Sequence, residues 1–107
     1  QTMKLTNEEK QKLSKGQRYY EAVFFDGEGR TRNSLGYFTN FKEAKKAITE
    51  FIRNEIDGGF LGLNALDQAY ISMLEADPIN DLVFTPNGVE KRTIWHGILR
   101  KTYIVSF

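Results

Sequence analysis

One stripe of apolar residues constrains this chain more than any other feature. Phe41, Ala44, Ala47, Ile48, Phe51, Ile52 and Ile56 recur at three- and four-residue spacing, which places them along one side of an α-helix. Asn40, three residues before Glu43, supplies the start, because its side chain can accept a hydrogen bond from a free first-turn amide. Gly58-Gly59 supplies the stop. A helix of this kind draws most of its stability from the surface its stripe covers. The preceding residues offer that surface. Residues 19–25 read as an aromatic-rich strand, Asp26-Gly27-Glu28-Gly29 as a turn, and 30–38 as the return strand. A four-residue loop pairs Phe25 with Arg30, Val23 with Arg32 and Glu21 with Ser34, and paired residues share a face. Tyr20, Ala22, Phe24, Leu35 and Tyr37 then form the face under the helix, with Ile48 and Phe51 packed on Phe24 and Leu35. Tyr19, Glu21, Val23, Phe25, Arg30, Arg32 and Ser34 form the other.

The flanking segments are less regular. Thr6-Asn7-Glu8-Glu9 fits a capping box that opens a short helix, and Gly16 marks its end. Residues 64–76 carry Leu66, Ala69, Tyr70, Met73 and Leu74 at helical spacing and predict a second main helix. Asp77-Pro78 breaks the chain, since a residue before proline avoids helical angles. Residues 82–84, 89–95 and 99–107 read as three further strands, the first two joined by the turn Pro86-Asn87-Gly88. The expected fold is α+β, one domain over residues 1–107, with an antiparallel sheet of about five strands against two main helices. Residues 1–16 form a short N-terminal helix or arm, 17–57 the hairpin and helix, and 58–107 the second helix and the C-terminal strands.

Composition removes several function classes. The chain has 107 residues, no cysteine and one histidine, so it has neither a disulfide framework nor a thiolate nucleophile or metal site. A hydrolytic triad needs a histidine beside a carboxylate and a nucleophile. Only His96 is available, and it reads as an edge residue next to Trp95. One histidine also makes a tetrahedral zinc site unfavourable. Gly27-Glu28-Gly29 begins like a dinucleotide fingerprint, but Arg32 stands at the third glycine and a strand follows where a helix is required. Asp26 and Glu28 are turn formers. The expectation is a non-enzyme with no cofactor and no metal. No apolar run is long enough for a membrane helix, and the polar N-terminal stretch has no signal core, so the expected location is cytoplasmic.

Charge is distributed unevenly. Residues 1–20 balance to +3, 21–57 to −1, 58–85 to −4 and 86–107 to +3, for a net charge of +1. Basic ends around an acidic middle suit either a polyanion site or self-association. On the hairpin face away from the helix, Arg30 and Arg32 offer charge and planar hydrogen-bonding forks, and Tyr19 and Phe25 offer stacking surfaces. The two arginines are expected two residues apart on one face, about 7 Å along the strand. Lys91, Arg92, Arg100 and Lys101 add basic groups near the C-terminus, and Trp95 a further ring.

Residues 18–56 resemble the sheet-and-helix module of arm-binding domains in phage-type tyrosine recombinases, and also the plant ethylene-response DNA-binding domain. The likeness rests on the aromatic first strand, the glycine turn, the basic second strand and Leu35-Gly36-Tyr37-Phe38-Thr39 followed by Glu43-Ala44. In those families the sheet enters the major groove, which implies DNA near Arg30 and Arg32 with the helix behind. The extra first strand of those sheets is not visible here, and the fifty residues after the helix have no counterpart there.

The leading expectation is thus a small binding protein for nucleic acid, a nucleotide or another phosphate-bearing ligand. Arg30, Arg32, Lys91, Arg92, Arg100 and Lys101 would supply charge, and Tyr19, Phe25 or Trp95 would stack. The rival is a protein-binding regulator or inhibitor of phage or mobile-element origin, favoured by the near-neutral net charge. A homodimer or higher oligomer is also expected, because Tyr19, Val23 and Phe25 would otherwise form an exposed apolar patch.

Overall fold

The structure is a computed structural model that describes residues 4–27, 29–57 and 67–105. Its elements are α1 (Asn7–Gln11), β1 (Arg18–Asp26), β2 (Thr31–Phe38), α2 (Phe41–Asp57), β3 (Gln68–Thr85) and β4 (Gly88–Val105). The four strands form one antiparallel sheet in the order β2-β1-β3-β4. The class is α+β as expected, with one main helix and four strands in place of two and about five.

Helix α2 forms where its stripe and cap require. Asn40 Oδ1 accepts from the Glu43 amide at 2.9 Å. Ala44, Ile48 and Ile52 are buried against Ala22, Phe24, Phe38, Ala69 and Ile71, with Leu35 and Phe51 packed at the margin. The rings of Phe24 and Phe51 meet with centroids 5.1 Å apart. Each fully buried side chain of this size contributes roughly 1.5–3 kcal/mol. The side chain of Ile56 and the Gly58-Gly59 stop lie outside the described residues.

The β1–β2 hairpin differs from its expected register. Its strand pairs include Asp26 with Thr31, Phe25 with Arg32 and Val23 with Ser34. Asp26 stays in the strand because its Oδ1 accepts from the Gly29 amide at 3.3 Å, so the loop moves one residue onward. Arg30 then closes the turn with φ of 53° instead of opening the strand. Glu28 lies outside the described residues. A bulge follows, in which Leu35 is the extra residue between the Val23–Ser34 and Ala22–Gly36 pairs. Gly36 has φ of 120° there, a conformation that suits glycine. Beyond the bulge Tyr37 stands opposite Glu21 and Phe38 opposite Tyr20. Tyr37 therefore leaves the helix face assigned to it, and Phe38 enters the core, fully buried.

The second expected helix is a strand. Residues 64–66 lie outside the described segments, but from Gln68 the chain is β3, paired with both β1 and β4. A central strand buries both faces, so apolar residues recur without strict alternation and their spacing can mimic a helix. Ala69 and Ile71 join the α2 core, while Leu74 and Ala76 face the opposite side. Nor does Asp77-Pro78 end the strand. The Ala76 amide donates to the Gln17 carbonyl, and its own carbonyl accepts from the Gly16 amide. Two residues later β1 has ended, so the N–H that Pro78 lacks would have pointed to an unpaired edge, where proline is tolerated. The strands expected at 89–95 and 99–107 are one strand, β4, with Arg100 as its bulge residue; residues 106 and 107 lie outside the described part. The turn at Pro86-Asn87 is as expected, closed by the Thr85–Gly88 pair.

The N-terminal segment crosses the sheet face opposite α2. Thr6 and Glu9 exchange both bonds of the capping box, each 3.1 Å. Helix α1 stops at Gln11, before Gly16. Gly16 takes φ of 84° and lays the chain against Ala76. Leu13 is buried there with Tyr19 and Ala76, beside Leu5, Tyr37 and Leu74.

Past the end of β1, the residues of β3 and β4 pair only with each other. Residues 79–94 form a two-stranded arm, which draws the molecule out to 53 × 28 × 24 Å.

Candidate functional site

The residues expected to bind phosphate do not converge. Arg30 lies in the β1–β2 turn near the Gln68 end of the sheet, and Lys91 and Arg92 lie on the arm at the other end. Arg30 and Arg32 do not share a strand face two residues apart. Arg32 reaches along its face past Val23 to Glu21, with which it forms an ion pair. Ser34 Oγ donates to the second Glu21 oxygen at 2.8 Å. The Arg32–Glu21 bond raises the Arg32 pKa above its ordinary value, against the opposing effect of burial. Arg92 donates from Nε and Nη2 to Glu90, and Arg100 from Nη2 to Glu75 at 3.2 Å. The Lys101 ammonium lies 4.8 Å from the centre of the Tyr103 ring. Among the described residues Arg30 and Lys91 make no ion pair.

Of the expected stacking rings, Tyr19 and Trp95 come together and Phe25 stands apart. Phe25 is half-buried at the turn end, whereas Tyr19 is buried beneath Leu13. Val23 is fully buried on the same face. The patch that suggested a second copy is thus covered within the chain, by the N-terminal segment and the Arg32–Glu21 pair. Trp95 lies at the root of the arm, on the same face as Tyr19 and lining the same cavity.

Two features stand out among the described residues, and sequence reasoning assembled neither. The first is the outer face of the arm. Pro78, Asn80, Leu82 and Phe84 of β3 pair with Trp95, Thr93, Lys91 and Val89 of β4, respectively. These eight side chains share the sheet face that carries Tyr19, and Thr93 Oγ1 donates to Asn80 Oδ1 across it at 3.1 Å. Phe84 is 84% exposed, Leu82 62% and Val89 54%. Lys91 is the one charged residue in the row. Period-two alternation from 78 to 84 and from 89 to 95 carried this signal, but the sequence did not show that no second layer among the described residues covers it.

The second is a cavity of about 210 Å³ where the arm leaves the sheet, lined by Tyr19, Tyr37, Trp95, Glu21, Lys10 and His96, with Leu74, Ala76 and Gly97 between them. The Leu35 bulge creates it by turning Tyr37 onto the same face as Tyr19, their ring centroids 5.8 Å apart. Gly97 makes room for Tyr19, since a Cβ at that position would lie 2.1 Å from the phenol oxygen. Burial raises the pKa of both phenols, and the charge of Glu21 raises them further. The Lys10 ammonium sits 4.2 Å from the centre of the Tyr37 ring.

No three His, Asp or Glu side chains gather as a metal site among the described residues, and no described helix is long and apolar enough to cross a membrane. No protein-family model matches the chain, and neither a curated protein nor a solved structure is significantly similar to it.

Proposed function

We propose that this is a non-catalytic binding protein that recognises a protein partner through the outer face of its β3–β4 arm. The observation that carries this reading is the row of exposed apolar side chains at Leu82, Phe84 and Val89 on a hairpin that no other element among the described residues covers. Large apolar groups gathered on an exposed surface favour association, because removing them from water yields about 25 cal/mol per Å². A two-stranded arm presents them with its backbone already paired, so little ordering entropy opposes docking. The phosphate reading has less support. Of Arg30, Arg32, Arg92 and Arg100, three are held by carboxylates, and a phosphate would have to displace those partners.

A photoreactive side chain at position 84, in cells making the protein at its native level, tests the proposal. Adducts with one protein are expected. They should be absent when the probe is placed at Lys46 on the exposed side of α2, and lost when Leu82→Ser and Val89→Ser are added. Adducts with nucleic acid, or none with any macromolecule, would contradict it.

A further inference from the structure

We propose that the cavity at the root of the arm binds a methylated ammonium group, and that Lys10 is its built-in competitor. Three aromatic side chains, Tyr19, Tyr37 and Trp95, line this one small space. Ring faces attract cations, and several rings around one cavity suit an ammonium group without N–H donors. Lys10 reports that preference directly, because its own ammonium lies over the Tyr37 ring.

Glu21 narrows the choice of cation. Its carboxylate is almost completely buried at the cavity wall, but one oxygen is bonded to Arg32 and the other to Ser34. Little acceptor capacity is left for the N–H groups of a primary ammonium or a guanidinium. A methylated ammonium has no N–H donors to leave unpaired when it exchanges water for ring faces. The ligand class is therefore a quaternary ammonium, carried either by a small molecule such as choline or by a trimethylated lysine. The inference stands apart from the arm reading, since it does not depend on Leu82, Phe84 or Val89 and concerns a different ligand.

Trp95 is the only tryptophan in the chain, and its fluorescence reports occupancy. The probes are choline chloride, Nε-trimethyl-lysine amide, lysine amide and dimethylbutanol, the neutral carbon isostere of choline, all at matched ionic strength. Saturable responses are expected to both quaternary ions, the tighter one naming the source, with dimethylbutanol and lysine amide weaker by about tenfold. Lys10→Ala should tighten the quaternary ions by about two- to fivefold, the worth of one exposed cation–π contact. Lys10 is partly buried but belongs to neither buried apolar cluster, so this variant keeps the fold and the rings. Equal binding of dimethylbutanol, weaker binding in Lys10→Ala, or no saturable response in that variant would overturn the proposal.

Discussion

Strand β3 belongs to two regions that obey different rules. Its first half, with β1, β2 and α2, is a packed layer in which Ala69 and Ile71 are fully buried. Its second half is paired only with β4 and leaves Phe84 84% exposed. Backbone pairing is continuous through both halves, so the ladder does not set the difference. Coverage does. Helix α2 and the described N-terminal segment end over the basal sheet, and among the described residues no second layer lies beyond them. Stability therefore belongs to the base, and the arm is free to serve contact.

The comparison breaks most readily at the base. Ile48→Ala removes a fully buried side chain between α2 and the sheet and should cost about 3 kcal/mol, read as a lower midpoint in urea unfolding. An unchanged midpoint would mean that α2 is not what separates the base from the arm.

Gly97→Ala sharpens the boundary itself. The added methyl would meet the Tyr19 hydroxyl and push that ring from its place beside Leu13, at a cost of about 1–3 kcal/mol. Trp95 fluorescence should change in the same variant, because the moved ring lines the same cavity. If both stability and fluorescence stay at the parental values, Tyr19 does not join the arm to the base.

Local signals explain what the sequence revealed. The caps at Thr6 and Asn40, the α2 stripe and the Pro86-Asn87 turn each depend on neighbours within a few residues, and each is present. What sequence reading missed depends on partners far along the chain. Ala69, Tyr70, Met73 and Leu74 fit a helix until β1 and β4 pair with the segment and α2 and the N-terminal segment cover its two faces. The Leu35 bulge follows from matching one strand to another, and it moves Tyr37 across the sheet. Arg32 looks available until Glu21, eleven residues earlier, turns out to hold it. Gly97 gave no local sign, because its role is set by the ring of Tyr19.

The most direct test replaces residues 79–94 with Asn-Gly, a two-residue turn suited to closing the shortened hairpin, and measures urea unfolding of the product. The account expects a single cooperative transition with an unfolding free energy within about 1 kcal/mol of the parent, because only side chains outside both buried clusters are removed. Loss of the cooperative transition, or a fall of about 3 kcal/mol or more, would show that the arm is part of the folding unit and contradict its assignment as a free contact element.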